Sequence, residues 1–346
     1  PLPSVTASAS PAAICNGATS VLTASSDITG TTYSWNTGGN TASITVTPSA
    51  TTTYTVTGTT GAGCSGTATV SVTVNPLPSV TATASSTEIC LNGSSILTAS
   101  SDITGTTYSW NTGGNTATIT VTPSSTTTYS VTGTSTEGCT GTATVSVTVN
   151  PLPTVSATAS STEICLNGSS ILTASSDITG TTYSWNSPLG AGSTKTVTPT
   201  STSSYTVTGM TTAGCTGTAT VSVTVNPLPT VTATASPAAI CNGATSVLTA
   251  SSDITGTTYS WNSPLGAGST KTVTPTSTSS YTVTGMTTAG CTGTATVSVT
   301  VNPLPSVTAS ASPAAICNGA TSVLTASSDI TGTTYSWNTG GNTASI

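Results

Sequence analysis

The chain has 346 residues, of which 2 are basic and 8 acidic, for a net charge of -6; it holds 9 Cys and no His or Phe. Two cations, Lys195 and Lys271, make no surface for phosphates or anionic headgroups, and no apolar run approaches the roughly 20 residues that span a bilayer, so nucleic acid and membrane insertion are excluded. Acid, base and nucleophile sets lack their parts, and the chain is expected to be no enzyme and to need no cofactor.

The opening PLPSV has no charged or apolar leader, so any targeting signal is expected outside this segment. Strands are predicted at Val5 to Ser10, Ser20 to Ser25, Thr31 to Trp35, Ala42 to Val46, Thr53 to Thr57 and Thr67 to Val74. In the last of these, Ala68, Val70, Val72 and Val74 alternate with Thr69, Ser71 and Thr73, the period of a half-buried strand. Disorder would not keep that phase. Short Thr- and Val-rich strands divided by NG, TG, GG and TP turns predict an all-β antiparallel sandwich. One sheet face is expected to carry Tyr33, Trp35, Ile44, Val46, Tyr54 and Val56, with Leu22 and Ala24 opposite.

The pattern then repeats. Counted from each PLP, the units are 1–75, 76–150, 151–226 and 227–302, with a partial fifth at 303–346 that copies residues 1–44 letter for letter. Each has a predicted core Trp and Tyr: Trp35, Trp110, Trp185 and Trp261, with Tyr54, Tyr129, Tyr205 and Tyr281. The units are mosaics, with SPAAICNGATSVL or SSTEICLNGSSIL in the first half and WNTGGNTA or WNSPLGAGSTKT in the second. Interchangeable halves suit a spacer better than a site that needs one constellation.

VTVNPLPSV, at Val72 to Val80, and its later copies read as joints. They contain Pro76, Leu77 and Pro78; Pro151, Leu152 and Pro153; Pro227, Leu228 and Pro229; and Pro303, Leu304 and Pro305. Two prolines fix φ and restrict their neighbours, giving a short, stiff connector. Leu77 is expected to press into the seam between units.

Cysteines come two to a unit: Cys15 and Cys64, Cys90 and Cys139, Cys165 and Cys215, Cys241 and Cys291, with Cys317 left over. With no CxxC and no His, neither a metal site nor a catalytic thiol is expected, and structural disulfides point to an oxidising compartment. Pairing within each unit is the first choice. The rival joins Cys15 to Cys139, Cys90 to Cys215 and Cys165 to Cys291, because the two turns of one sandwich lie at opposite ends while neighbours meet head to tail.

Asp27 and its copies Asp102, Asp177, Asp253 and Asp329 stand alone in SSDITG turns, which favours a turn residue over a calcium ligand. Glu88, Glu137 and Glu163 are expected to be solvated. Asn92 and Asn167 fit the N-x-S acceptor pattern. Thr67, Thr69, Ser71 and Thr73 form an outward ladder that would suit ice or a glycan if an adjacent strand matched it row for row.

The Trp of YSW and the Tyr of TTTYTVTG sit where an immunoglobulin-type sandwich places its strand C Trp and strand F Tyr, which makes the units resemble Ig-like domains. The cysteines depart from that family's pattern. Together, ICNG or ICLNG, SVLTAS, YSWNTG, TTTYTVTG, a GC turn and TATVSVTVNPLP resemble the tandem Ig-like repeats of large secreted surface proteins of Bacteroidota, including gliding-type adhesins and other type IX secretion cargo. The resemblance implies an extracellular or cell-surface rod, adhesin shaft or filament. Its partners would be copies of itself, along the array or laterally, with surface glycans as the alternative.

Overall fold

A computed structural model describes residues 1–346, and every regular element in it is a β-strand. Residues 1–75 hold β1 (Val5–Ser10), β2 (Ala13–Cys15), β3 (Ser20–Ser26), β4 (Thr32–Trp35), β5 (Ser43–Val46), β6 (Thr52–Thr59) and β7 (Ser65–Asn75). One sheet has the order β1-β3-β5 and the other β2-β7-β6-β4. All ladders are antiparallel except β2 on β7, which runs parallel with Ala13 opposite Thr73 and Cys15 opposite Asn75.

The two sheets pack face to face, because their inward residues form one cluster. Leu22, Ala24 and Val46 come from the first sheet, and Ile14, Trp35, Tyr54, Val56 and Val72 from the second. Leu22, Val56 and Val72 are sealed from solvent. The all-β, Ig-like sandwich expected from the sequence is the architecture these strands build. One assignment is corrected: Ile44 and Val46 lie on the sheet of Leu22, since β5 pairs with β3 and places Leu22 opposite Ile44. Ile44 and Tyr33 are only half-buried, at the margins of the core.

Residues 76–150 repeat the plan with β8 (Val80–Ala84), β9 (Glu88–Cys90), β10 (Ser95–Ser101), β11 (Thr107–Trp110), β12 (Thr118–Val121), β13 (Thr127–Thr134) and β14 (Thr140–Asn150). Their core is Ile89, Leu97, Ala99, Trp110, Val121, Tyr129, Val131 and Val147. The chain divides into two compact bodies, Pro1–Val155 with Ser176–Tyr183 and Thr208–Thr218, and the remaining residues. In the second body, residues 227–302 form the same two sheets around Ile240, Leu248, Ala250, Trp261, Val273, Val283 and Val299. There WNSPLGAGSTKT adds a two-residue strand, Gly266–Ala267, along the edge strand Thr258–Trp261.

The four predicted Trp residues are buried, and each indole N–H is satisfied by a main-chain oxygen: Trp35 by Thr41, Trp110 by Thr116, Trp185 by Gly192 and Trp261 by Gly268, at 3.0–3.1 Å. The Tyr assignments divide. Tyr54 and Tyr129 are buried, whereas Tyr205 and Tyr281 are half-buried in the units where Lys195 and Lys271 take the places of Ile44 and Ile119.

Within a strand, alternate residues should differ sharply in what they contribute. Leu97→Ala should cost about 2–5 kcal/mol, while Ile96→Ala, at a site 49% exposed, should stay within about 0.5 kcal/mol. Native-state hydrogen exchange at the β13 amides reads the difference, and equal effects would contradict the assigned faces.

Candidate functional site: the stapled joint

Each joint is built from three local features. The first is the short strand ending in a cysteine. β2 leaves Cys15 opposite Asn75, the last residue of β7, and the Asn16 amide donates to the Asn75 carbonyl at 2.9 Å. The second is the hairpin that ends at the other cysteine. Between β13 and β14 the Ser135 amide donates to the Cys139 carbonyl at 2.8 Å, the Cys139 amide donates to Ser135 Oγ at 3.2 Å, and Gly138 supplies the left-handed φ of 83° that the turn requires. Thr211 with Cys215, and Thr287 with Cys291, repeat the closure.

These two features meet between successive units. Cys15 bonds Cys139, Cys90 bonds Cys215 and Cys165 bonds Cys291, each with Cα atoms 5.5 Å apart. The favoured within-unit pairing is therefore corrected. The reason is distance: Cys15 lies beside the end of β7 and Cys64 just before its start, and 11 residues of strand separate those points. At about 3.3 Å per residue that is roughly 33 Å, far beyond disulfide reach. The hairpin cysteines Cys139, Cys215 and Cys291 are each 1% exposed, and Cys215 Sγ lies 3.9 Å from the Asn150 carbonyl oxygen at the joint. Cys64, Cys241 and Cys317 are unpaired.

The third feature is the linker, where the second proline rather than the leucine is inserted. Pro78, Pro153 and Pro229 are buried, whereas Leu77 is 48% exposed and Leu152 and Leu228 are each 39% exposed. Leu304 is 60% exposed, and Pro305 beside it is exposed as well. The expected seating of Leu77 is thus corrected: neighbouring side chains of an extended segment point opposite ways, so turning Pro78 inward turns Leu77 outward. Gly141 in β14 explains what Pro78 rests on, because any Cβ there would collide with the Pro78 carbonyl.

Sequence reasoning missed what fastens the linker. Asp27 Oδ1 accepts the Ser4 amide at 2.7 Å, Asp102 that of Ser79 at 2.7 Å, Asp177 that of Thr154 at 2.8 Å and Asp253 that of Thr230 at 2.8 Å. Each carboxylate ties a turn to the residue right after the PLP. The Thr154 hydroxyl, then its amide, hold Asp177 below the usual carboxylate range, and Thr230 does the same for Asp253. The recurrence of one Asp 23 residues beyond each PLP-S/T was the available signal.

The outward ladder has its matching rows. On β6 and β7, Thr53 stands opposite Ser71, Thr55 opposite Thr69 and Thr57 opposite Thr67, and Ser34 of β4 extends the last row. Thr53 and Ser71 share a hydrogen bond of 2.7 Å, as do Thr128 and Ser146. Asn92 and Asn167 are exposed turn residues with φ of 68° and 70°.

No family model matches the chain, and no curated protein does. Among solved structures it is similar to a Ca2+-stabilized adhesin that helps an Antarctic bacterium reach out and bind ice, at 20% identity over 87% of this chain and 100% of that one, with a TM-score of 0.34. A 1.5-MDa bacterial ice-binding adhesin matches at 19% identity, 65% and 98% coverage and a TM-score of 0.32. The N-terminal eight Ig domains of Down Syndrome Cell Adhesion Molecule match at 13% identity, 91% and 57% coverage and a TM-score of 0.23.

The depressed Asp177 pKa sets a sign. The clamp's contribution is fully present above the unfolded carboxylate pKa of roughly 3.9 and is lost as pH falls through the lower folded value. Carboxyl NMR should place the Asp177 midpoint below 3.9 or so, with the Thr154 amide signal moving in step; a midpoint at or above that value would remove the clamp.

Proposed function

We infer that the chain is a stretch of an extracellular structural repeat protein, non-enzymatic, working as a shaft or filament body. The single observation that carries this reading is the set of three bridges, all between successive units, with sequence separations of 124, 125 and 126. For a loop of that size taken alone, the chain-entropy model assigns on the order of 5 kcal/mol. Such bridges persist only outside a reducing cytosol, which supports a cell-surface or extracellular location. The units 1–75, 76–150, 151–226 and 227–302 would be the building blocks, and a type IX-exported surface protein of a Bacteroidota cell the setting. Copies of the chain would be its partners, in line or side by side.

A peptide map under non-reducing conditions should return the Cys15–Cys139, Cys90–Cys215 and Cys165–Cys291 pairs, and electron microscopy should find filaments whose length tracks repeat number. Within-unit pairs, or particles whose length ignores repeat number, would refute the shaft.

The hydroxyl rows favour a second reading, a multivalent binder of glycans or ice. Each row offers hydroxyls paired across neighbouring strands, and weak single-unit contacts would multiply along the array. Glycan-array and ice-affinity measurements on one-repeat and four-repeat proteins should show binding rising steeply with repeat number; no retention of either protein sinks this reading and leaves the shaft untouched.

A further inference from the structure

The bridges overlap. Cys90 lies inside the span closed by Cys15 and Cys139, and Cys165 lies inside the span closed by Cys90 and Cys215. Tension applied between Pro1 and Ile346 therefore has short cuts. It runs to Cys15, crosses to Cys139, passes along β14 and through Pro151, Leu152 and Pro153 to Cys165, crosses to Cys291 and leaves along Thr292–Asn302. Residues 16–138 and 166–290 lie behind the two crossings. All four buried Trp residues, Trp35, Trp110, Trp185 and Trp261, are among them.

We propose that the overlapping bridges make the chain an extension limiter, which carries tension along its joints and withholds it from the strands that carry the four buried Trp residues. Force favours unfolding only through the lengthening that unfolding yields. A segment behind a covalent crossing yields none, so its equilibrium is not tilted by the load. What remains in the tension path is about 100 residues, roughly 330 Å when taut, against about 1,200 Å for the whole chain.

The second bridge has a distinct place. Cys90–Cys215 lies off the shortest path, because that path leaves the chain at Cys15, before Cys90, and rejoins it at Cys139. It becomes part of the shortest route only when another bridge is lost. Connectivity alone thus assigns unequal effects to three bridges that look alike locally. The limit holds even if the chain builds no filament.

Single-molecule force spectroscopy on the full chain, held at its two ends, tests this. The oxidised chain should stop lengthening at roughly 330 Å, and with a dithiol reductant it should reach about 1,200 Å. Cys15→Ser combined with Cys139→Ser should add about 340 Å, because the route then runs from Pro1 to Cys90, crosses to Cys215, returns to Cys165 and crosses to Cys291, roughly 100 residues longer, whereas Cys90→Ser combined with Cys215→Ser should add nothing. An oxidised chain that reaches the reduced length, or a Cys90/Cys215 variant that lengthens, overturns the proposal. Should a serine pair fail to fold, the reductant comparison on the unaltered chain still decides.

Discussion

A strand of 11 residues, rising about 3.3 Å per residue, separates its ends by roughly 33 Å, and the two cysteines of each unit sit beside opposite ends of such a strand. That separation forbids a bridge within the unit. It also places one cysteine at the joint where the next unit begins. The linker's own fastenings depend on the same strand: Gly141, near the start of β14, gives the Pro78 carbonyl its seat, and Cys139, just before that start, is where the preceding unit attaches. One rigid element thereby fixes the turn geometry, the linker and the covalent ladder together.

Much of the sandwich was readable because period-2 alternation and turn residues act locally. All six strands expected in residues 1–75 are present, β1 with the same bounds. The strand that escaped notice is β2, three residues long and paired in parallel with the far end of β7. Three residues are too few to show a period, and its partner lies some 60 residues onward. Yet β2 places Cys15. The joint failed to read correctly for a related reason. Leu77 is the most apolar residue of its linker, but what decides the orientation is a carboxylate 23 residues downstream of Ser79 and a glycine in β14. Hydrophobicity identifies candidates for burial, while a fixed backbone direction selects among them.

The mosaic halves can be exchanged because each preserves the same buried polar partnerships by different means. Ser20 and Ser246 are 1% exposed and donate to Pro11 and Pro237 carbonyls, at 2.8 and 2.7 Å. In the other version, Ser95 and Ser170, equally buried, donate to Ser86 and Ser161 carbonyls at 2.8 Å. The acceptor is main chain, so the side chain beside it is free to change. The Trp indole is treated likewise, meeting a Thr41 or Thr116 carbonyl in one hairpin and a Gly192 or Gly268 carbonyl in the other. A lost partner at such a depth would cost about 1–3 kcal/mol, so exchange is tolerated only where the backbone oxygen survives it.

Those same constraints leave the outer faces free. Cores of about eight residues settle the shape of a unit, and the clamps and bridges settle its attachment to the next. Neither draws on the rows of Thr53, Thr55 and Thr57 against Ser71, Thr69 and Thr67, whose hydroxyls bond across the strands or face solvent. Each bonded hydroxyl pair still has one donor and three acceptor positions to offer. A surface with no duty to the fold can be shaped by what lies outside it, whether a neighbouring chain, a polysaccharide or water. The near absence of charge suits that freedom, since two cations in 346 residues leave little to select one ionic partner over another. The covalent ladder then allows such contacts to be weak individually, because it keeps each of the first three units attached to the next while they form and break.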